Sequence, residues 1–547
     1  KLSSATKRII SFLENQPLNF PLWAAAFLSL IAARLFVENW LGNFQYRDTQ
    51  FLFSEFAHTS LFFLFSYILF LVLLRHAAQV SIPQAANILL WGFLIILTPP
   101  IIDWWISGGA GFWSFYEFDS LEGLLVRFIT FFGEDPTMGI TYGVRVEVAF
   151  SLILFFVYIL LKTNLWKRAL GYTFLGYALF FVLGTFPSWV TIAVLGAKDG
   201  FLNITSTDIA GLFLSPETTF SYTPGAIINA LNAKASILYA LLISALIPGL
   251  SYVFFRKTTL AILGNARWPQ VIYHGGLVSV GAGLALVFSP ETITHLTFWN
   301  ALSFLLLIVA AVLAWLASVV SNDFFDRDID RISNAGRPLI SKILPEIHYR
   351  WLGFTLFFAS VFFAAVAHPF AALFIVFYHA ITFAYNTPPF RLKRFPIIAT
   401  LIGALASLAI LFAGYVFADK TRSLEHLPWQ IPALLAFAYT VSLPLKDFKD
   451  IKGDRQANVW TLPVILGEST ARILVASGIF LSFLLSTVAF NISAAFPWAF
   501  FLGAGAFWIV ANPNIRIRQK TLPPNLLPHA VLALVFLYGL ILTGYLF

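Results

Sequence analysis

Asn322-Asp323-Phe324-Phe325-Asp326-Arg327-Asp328-Ile329-Asp330 and Lys446-Asp447-Phe448-Lys449-Asp450-Ile451-Lys452-Gly453-Asp454 carry one acidic spacing at the ends of two apolar segments. Each sets carboxylates at i, i+3 and i+7, which is one face of an α-helix. Carboxylates gathered on one stripe repel one another, and near a membrane they are costly unless positive charge neutralises them. A divalent cation does this well, and Mg²⁺ favours carboxylates together with phosphate oxygens. Two such stripes facing one cavity suit a diphosphate held through metal ions. Asp328 lies off the stripe of Asp326 and Asp330 and reads as a solvated or ion-paired residue.

The apolar segments around these clusters set the fold class. The chain has 547 residues, 59% of them hydrophobic and 11% charged, with a mean hydropathy of +0.82. Soluble proteins carry roughly a quarter charged residues, so most of this chain must lie in lipid. Apolar runs of about 20 residues, each able to cross a bilayer as a helix, recur along its whole length. The expectation is an all-α polytopic membrane protein. Roughly six spans precede residue 257, near 20–37, 57–75, 84–102, 144–161, 170–197 and 226–255. Roughly nine follow, near 270–289, 297–320, 351–367, 370–386, 396–417, 429–446, 471–490, 496–511 and 528–546. The domain division expected is 1–257 and 265–547.

Charge distribution tests that count. In the second half, the connections after the second, fourth, sixth and eighth spans are basic. They hold Arg327, Arg331, Arg337, Lys342 and Arg350; then Arg391, Lys393 and Arg394; then Lys446, Lys449, Lys452 and Arg455; then Arg516, Arg518 and Lys520. The opposite connections hold only Lys420 and Arg422. The positive-inside rule puts both acidic clusters on the cytoplasmic side. In the first half Lys7, Arg8, Arg75, Lys162, Lys167, Arg168, Arg256 and Lys257 fall inside by the same rule. The net charge of +8 therefore reflects topology rather than nucleic-acid binding. The absence of cysteine excludes disulfides, thiolate metal sites and cysteine nucleophiles. The chain opens on Lys1 rather than Met, consistent with a fragment or a processed protein. Its first apolar run leads into a full span, so no cleavable signal peptide is expected.

The arrangement over residues 265–547 resembles the UbiA superfamily of intramembrane prenyltransferases. The first family signature matches Asn322, Asp323, Asp326 and Asp330, after the second helix of that half; the second matches Asp447, Asp450 and Asp454, after the sixth. Similar pieces are Arg337-Pro338, the stretch from Tyr385 through Arg391 to Lys393, and the run from Thr461 to Gly467. The resemblance implies a nine-helix transmembrane bundle, preceded here by a six-span membrane domain. It also implies a Mg²⁺-dependent transferase that moves an isoprenyl group from an allylic polyprenyl diphosphate to a small acceptor and releases pyrophosphate. The acceptor would be an aromatic quinone precursor or a glycerol-phosphate lipid.

In that scheme Asp323, Asp326, Asp330, Asp447, Asp450 and Asp454 are catalytic. Two Mg²⁺ ions would be held by Asn322, Asp326, Asp330, Asp447, Asp450 and Asp454. Asn322, Arg337, Lys342, Tyr385, Arg391, Lys393 and Lys446 would contact the diphosphate, and Tyr385 would also face the allylic cation. One departure stands out. Members of the family carry a compact Tyr-x-x-x-Lys pattern after the fourth helix, whereas here the basic residues come six and eight positions after Tyr385. The choice between Arg391 and Lys393 as phosphate ligand stays open at this point.

Two other readings compete. A terpene cyclase on the same scaffold would use the donor alone. A transporter or lipid carrier would use the acidic stripes as cation sites, but it would place carboxylates near the midplane of broken helices rather than at helix ends. His274 and His379, inside apolar spans, read as hydrogen-bonded interior histidines. Asn203-Ile204-Thr205 matches a glycosylation acceptor. Residues 1–255 resemble no recognised family. Their polar residues at membrane depth are Arg34 with Glu38, Arg145 with Glu147, and Asn229, Asn232 and Lys234, which are functional candidates by position.

Overall fold

The computed structural model describes every residue except 1–3, 43–48, 216–226, 290–296, 328–329, 332–335, 450, 452–454, 456–459, 513–515, 518–519, 522–525 and 547. The chain divides into two compact units, Lys1–Leu246 and Ile247–Phe547, and helix Ile227–Phe254 runs through the division. Among the described residues 13 helices are long and apolar enough to cross a membrane, or 14 with one bent pair counted as a span. Among the described residues the regular structure is helical apart from two pairs of two-residue strands, Trp113–Ser114 with Met138–Gly139 and Arg516–Ile517 with Lys520–Thr521. Helices satisfy their own backbone groups, as a bilayer interior demands.

In the first unit the spans are Phe20–Leu41, Leu52–Ala78, Ile82–Ile106 and Tyr142–Thr163, followed by the bent pair and by Asn229–Phe254. The bent pair replaces the straight span expected near 170–197. Trp166–Gly184 and Phe186–Asp199 meet at 70°. Thr185 leaves helical geometry at φ −115°, ψ 19°, and Pro187 opens the next helix with no N–H to continue the first one. Lys234 donates to the carbonyls of Leu212 (2.7 Å) and Ser215 (2.8 Å), so it caps the end of helix Ser206–Leu214. Arg145 differs from its expected pairing with Glu147. Its guanidinium donates to the carbonyls of Phe132, Gly133, Asp135 and Ile140, and Glu147 turns instead to Arg34 at 3.7 Å.

In the second unit the spans are Trp268–Phe288, Phe298–Phe325, Glu346–Ala367, Pro369–Asn386, Ile398–Ala418, Glu468–Ala489, Ser493–Ala511 and Leu527–Leu546. The span expected near 429–446 is the exception. It is α-helical only over Gln430–Ser442 and then winds as a 3₁₀-helix over Leu443–Lys449. Pro444 lacks the amide hydrogen that an α-helix would need there. This tighter winding delivers Lys446 and Asp447, the start of the second acidic cluster.

Glycine sets the closest approach in this unit. A Cβ on Gly281 would overlap the carbonyl of Leu411, and one on Gly414 would overlap the carbonyl of Val278. Helices Trp268–Phe288 and Pro396–Ala418 therefore pack backbone to backbone, the small-residue mode of membrane helices.

Candidate active site

Helix Phe298–Phe325 is long and apolar, and 56% of its most apolar window is buried. It brings the first acidic cluster to one end of the second unit. The expected continuous stripe is broken there. The helix ends at Phe325, and Asp326 is its C-cap at φ −104°, ψ 13°; the amide of Asp330 donates to the carbonyl of Asp326 at 2.8 Å. Helical geometry resumes at Arg327 and is again present at Asp330 and Arg331, so the break is local to Asp326. Asp323 and Asp330 turn to one cation, and Asp326 turns to two others.

Asp323 and Asp330 share Arg337. Its Nη1 lies 2.9 Å from Asp323 Oδ1 and also donates to Asp330 Oδ2. Asp323 is 1% exposed, and its second oxygen accepts from Asn265 Nδ2 (2.6 Å) and from the Tyr349 hydroxyl (2.7 Å). Both of its oxygens are thus occupied by protein donors. Asp323, expected among the catalytic carboxylates, is held here by Arg337, Asn265 and Tyr349.

Asp326 lies against Lys393 Nζ (2.6 Å) and Arg391 Nη2 (3.2 Å). The same ammonium donates to Asn322 Oδ1 at 3.0 Å and to Asn386 Oδ1 at 3.4 Å. Asn322 and Asp326 therefore already aim oxygens at one small cation. This hard, oxygen-only donor pair fits Mg²⁺. Among the described residues no group of three or more carboxylates or histidines is gathered to hold a metal ion by itself. Asp450 and Asp454, and Asp328 beside them in the motif reading, lie outside the described residues.

Arg267 was missed in the sequence reading. It is the left-handed N-cap of helix Trp268–Phe288, with φ 55°, and its Nη2 sits 3.8 Å from Asp323 Oδ1. That buried nitrogen has no hydrogen-bond partner, nor has Nε of Arg391. Burial, and next the neighbouring Arg337, lower the pKa of Arg267 against the opposing pull of Asp323. Burial also lowers the pKa of Lys393, with Asp326 opposing. Buried donors without acceptors are rare in folded proteins and call for an explanation. Here they point to an anion with several acceptor oxygens. The available signal was a lone Arg ahead of a Trp-Pro pair at the mouth of the first span of the domain.

The second cluster reaches the same end. Lys446 lies within electrostatic range of Tyr385, Asp447 and Arg267, and Arg267 is in range of Asp323, Asp326 and Asp330. Tyr385 and Asp447 are half-buried and Lys446 is exposed. Lys342 is exposed in a turn at φ 55°. Behind the charged end lies an aromatic wall. Tyr273 stacks on Tyr439 (centroids 5.9 Å apart), and His274 stacks on Trp315 at 4.7 Å. The two histidines are interior and hydrogen-bonded, His274 to the Gln270 carbonyl and His379 to Ser360.

Residues 276–542 match the model of the UbiA prenyltransferase family. This part of the chain belongs to that family. With its apolar helices, the UbiA membership makes the protein an integral membrane protein. Curated relatives include a digeranylgeranylglyceryl phosphate synthase of Pyrococcus abyssi, 32% identical over 154 residues, 27% of this chain and 52% of the relative. Another is the probable homogentisate phytyltransferase 2, chloroplastic, of Oryza sativa subsp. japonica, 28% identical over 222 residues, 38% of this chain and 57% of the relative. The chain thus spans little more than half the length of these relatives. A solved UbiA homologue from Archaeoglobus fulgidus, bound to GPP and Mg²⁺, is similar at 19% identity and TM-score 0.40, covering 51% of this chain and 96% of that one.

Proposed function

We propose that the protein is a Mg²⁺-dependent intramembrane prenyltransferase whose catalytic domain is residues 265–547, with residues 1–257 as a separate membrane domain. The donor is an allylic polyprenyl diphosphate. The acceptor is a glycerol-phosphate lipid or an aromatic quinone precursor, the two classes named among the relatives. The observation that carries the reading is the pair of buried, unpartnered guanidinium nitrogens, on Arg267 and Arg391, beside the converging oxygens of Asn322 and Asp326.

Arg267, Arg337, Arg391, Lys393 and Lys446 supply donors for diphosphate oxygens, with Arg267 added to the set expected from the motifs. Arg337 is held in place by Asp323 and Asp330. Asn322, Asp326, Asp330, Asp447, Asp450 and Asp454 are the proposed ligands of two Mg²⁺ ions, which when bound neutralise charge developing on the leaving pyrophosphate. The allylic C–O bond breaks with its electron pair passing to the diphosphate oxygen. The acceptor's nucleophilic atom then bonds to the allylic carbon and sheds its proton. The fixed cations act where that charge develops. The aromatic wall of Tyr273 and Tyr439, with Tyr385, is suited to shield the carbocation from water and to face it with π-electron density. The proposed side is cytoplasmic, from the basic loops.

Purified full chain incubated with Mg²⁺, labelled geranylgeranyl diphosphate and a panel of glycerol-phosphate and aromatic acceptors tests this. Pyrophosphate release that depends on one acceptor is the expected result. Release without any acceptor, accompanied by a cyclic hydrocarbon, would instead establish a cyclase, and no release under any condition would overturn the proposal.

A further inference from the structure

The first unit, Lys1–Leu246, contains a half-open cavity of about 1180 Å³ that the proposed reaction does not use. Its walls come largely from helices Phe20–Leu41, Thr49–Ala78, Ile82–Gly92 and Tyr142–Thr163, and most of the lining is aromatic or aliphatic. Packed interiors contain few voids larger than a water molecule. This half-open space is above the usual range of about 300–1,000 Å³ for small-molecule pockets and is large enough to take a chain-bearing ligand.

The cavity has two chemically different ends. At one end Phe70, Leu74, Ile88 and Phe155 pack in one cluster and make that part of the lining mainly apolar, its polar group being the Tyr158 hydroxyl, which donates to Glu14 at 2.7 Å. At the other, Arg34 is shared by Glu38 (3.6 Å) and Glu147 (3.7 Å), lies over the Phe63 ring at 5.4 Å, and donates to the Ile96 carbonyl at 3.2 Å. Both carboxylates stand beyond hydrogen-bond range of the guanidinium, so they retain acceptor lone pairs for another donor. His58 Nε2 and the Tyr116 hydroxyl, 2.6 Å apart, sit on the same wall. Among the described lining residues there are three glutamates, including Glu55, and one arginine. An anionic head group would meet like charge in surroundings where such repulsion is poorly screened. Carboxylates only accept hydrogen bonds, so a matching head group must donate them.

We propose that this cavity binds one lipid-like molecule with an apolar chain and a hydrogen-bond-donating head that carries no negative charge, a hydroxyl or an amine, and that it discriminates against phosphorylated lipids. The chain lies along Phe70, Leu74 and Phe155, and the head reaches Glu38 and Glu147. The proposal concerns a different unit from the transferase site and stands or falls separately from it.

The test uses the full chain in detergent with Mg²⁺ and excess geranylgeranyl diphosphate, which keeps the second unit's site occupied. A diazirine analogue of geranylgeraniol is added, irradiated, and its attachment points are mapped by mass spectrometry. The expected result is saturable labelling on helices Thr49–Ala78 and Tyr142–Thr163. Unlabelled geranylgeraniol or a long-chain amine should compete at least about tenfold better than further diphosphate, roughly 1.4 kcal/mol in binding; which of them competes better names the head group. Glu147→Gln or Glu38→Gln, each checked for an unchanged melting profile, should weaken that competition while leaving transferase turnover intact. Labelling confined to residues after 247, labelling that does not saturate, or equal competition by the diphosphate would overturn the proposal, and the wild-type labelling decides even if a variant fails to fold.

Discussion

The buried charges of the two units are balanced in opposite directions. In the first, one guanidinium, Arg34, is divided between Glu38 and Glu147, and among the charged residues described in the cavity lining glutamates outnumber arginine three to one. In the second, the described carboxylates of the first cluster, Asp323, Asp326 and Asp330, face Arg267, Arg337, Arg391 and Lys393, and two of those cations keep unpartnered nitrogens. The same residue types thus prepare one site for a donor-rich or cationic ligand and the other for an anion. What tells the two sites apart is the atoms left without a hydrogen bond to their ion-pair partners: guanidinium nitrogens of Arg267 and Arg391 in one, carboxylate oxygens of Glu38 and Glu147 facing Arg34 in the other.

The sharpest way to break this comparison is at the second unit. Asp326→Ala is expected to lower acceptor-dependent pyrophosphate release by about a thousandfold or more, the scale of losing transition-state charge stabilisation; near-normal turnover would remove the site assignment. Arg34→Gln acts on the other side of the comparison. It leaves the half-buried Glu38 and Glu147 without their cation, which should cost about 2–3 kcal/mol of stability, less than for a fully buried pair, read as a lower melting temperature in detergent. Arg267→Gln should behave oppositely, since its Nη2 has no hydrogen bond to lose. Melting should hardly change, and the KM for the diphosphate donor should rise about tenfold, the scale of one lost charge-assisted hydrogen bond. If Arg267→Gln destabilises as much as Arg34→Gln, the contrast in charge balance fails.

A packing control has a smaller effect. Gly281→Ala pushes a methyl group into the Leu411 carbonyl, and overpacking of this kind should cost about 1–3 kcal/mol with the donor KM unchanged. The smallest effect concerns pH. Burial lowers the pKa of Lys393, so its charge is lost at a lower pH than that of a free lysine. In the window between that lowered value and the usual 10.5, the unfolded chain binds the extra proton, so this residue's contribution to stability rises with pH. Diphosphate binding needs the proton and falls over the same window. kcat/KM should therefore decline on the alkaline side, and Lys393→Arg should move that decline to higher pH; an unmoved limb would assign it to another group.

Much of the architecture was readable from local signals. Apolar runs long enough to cross a bilayer and the alternation of basic loops located thirteen of the fifteen expected spans as single helices among the described residues, and the two motifs located the charged end of the second unit. The failures share one origin. Pro444 and Pro187 altered backbone geometry within runs whose composition stayed apolar, so the expected spans near 429–446 and 170–197 became a mixed helix and a bent pair. Asp326 capped a helix that its spacing had continued. Arg267 and Asn265 lay outside every motif and gained their roles only by reaching Asp323, more than 50 residues away.

Hydropathy and the acidic and basic residues of the motifs are properties of neighbours in the chain, so the sequence alone determined the membrane class, the family of residues 276–542 and where the charged end lies. Pairings were decided by packing. Arg337 joins Asp323 to Asp330, Lys393 joins Asn322 to Asp326, and Glu147 takes Arg34 rather than Arg145. These partners lie on different helices or loops, or across a helix end that the motif spacing did not reveal. Which charges meet therefore depends on how helices cross and where they stop, as at Gly281 against Leu411, and that is a property of the tertiary structure.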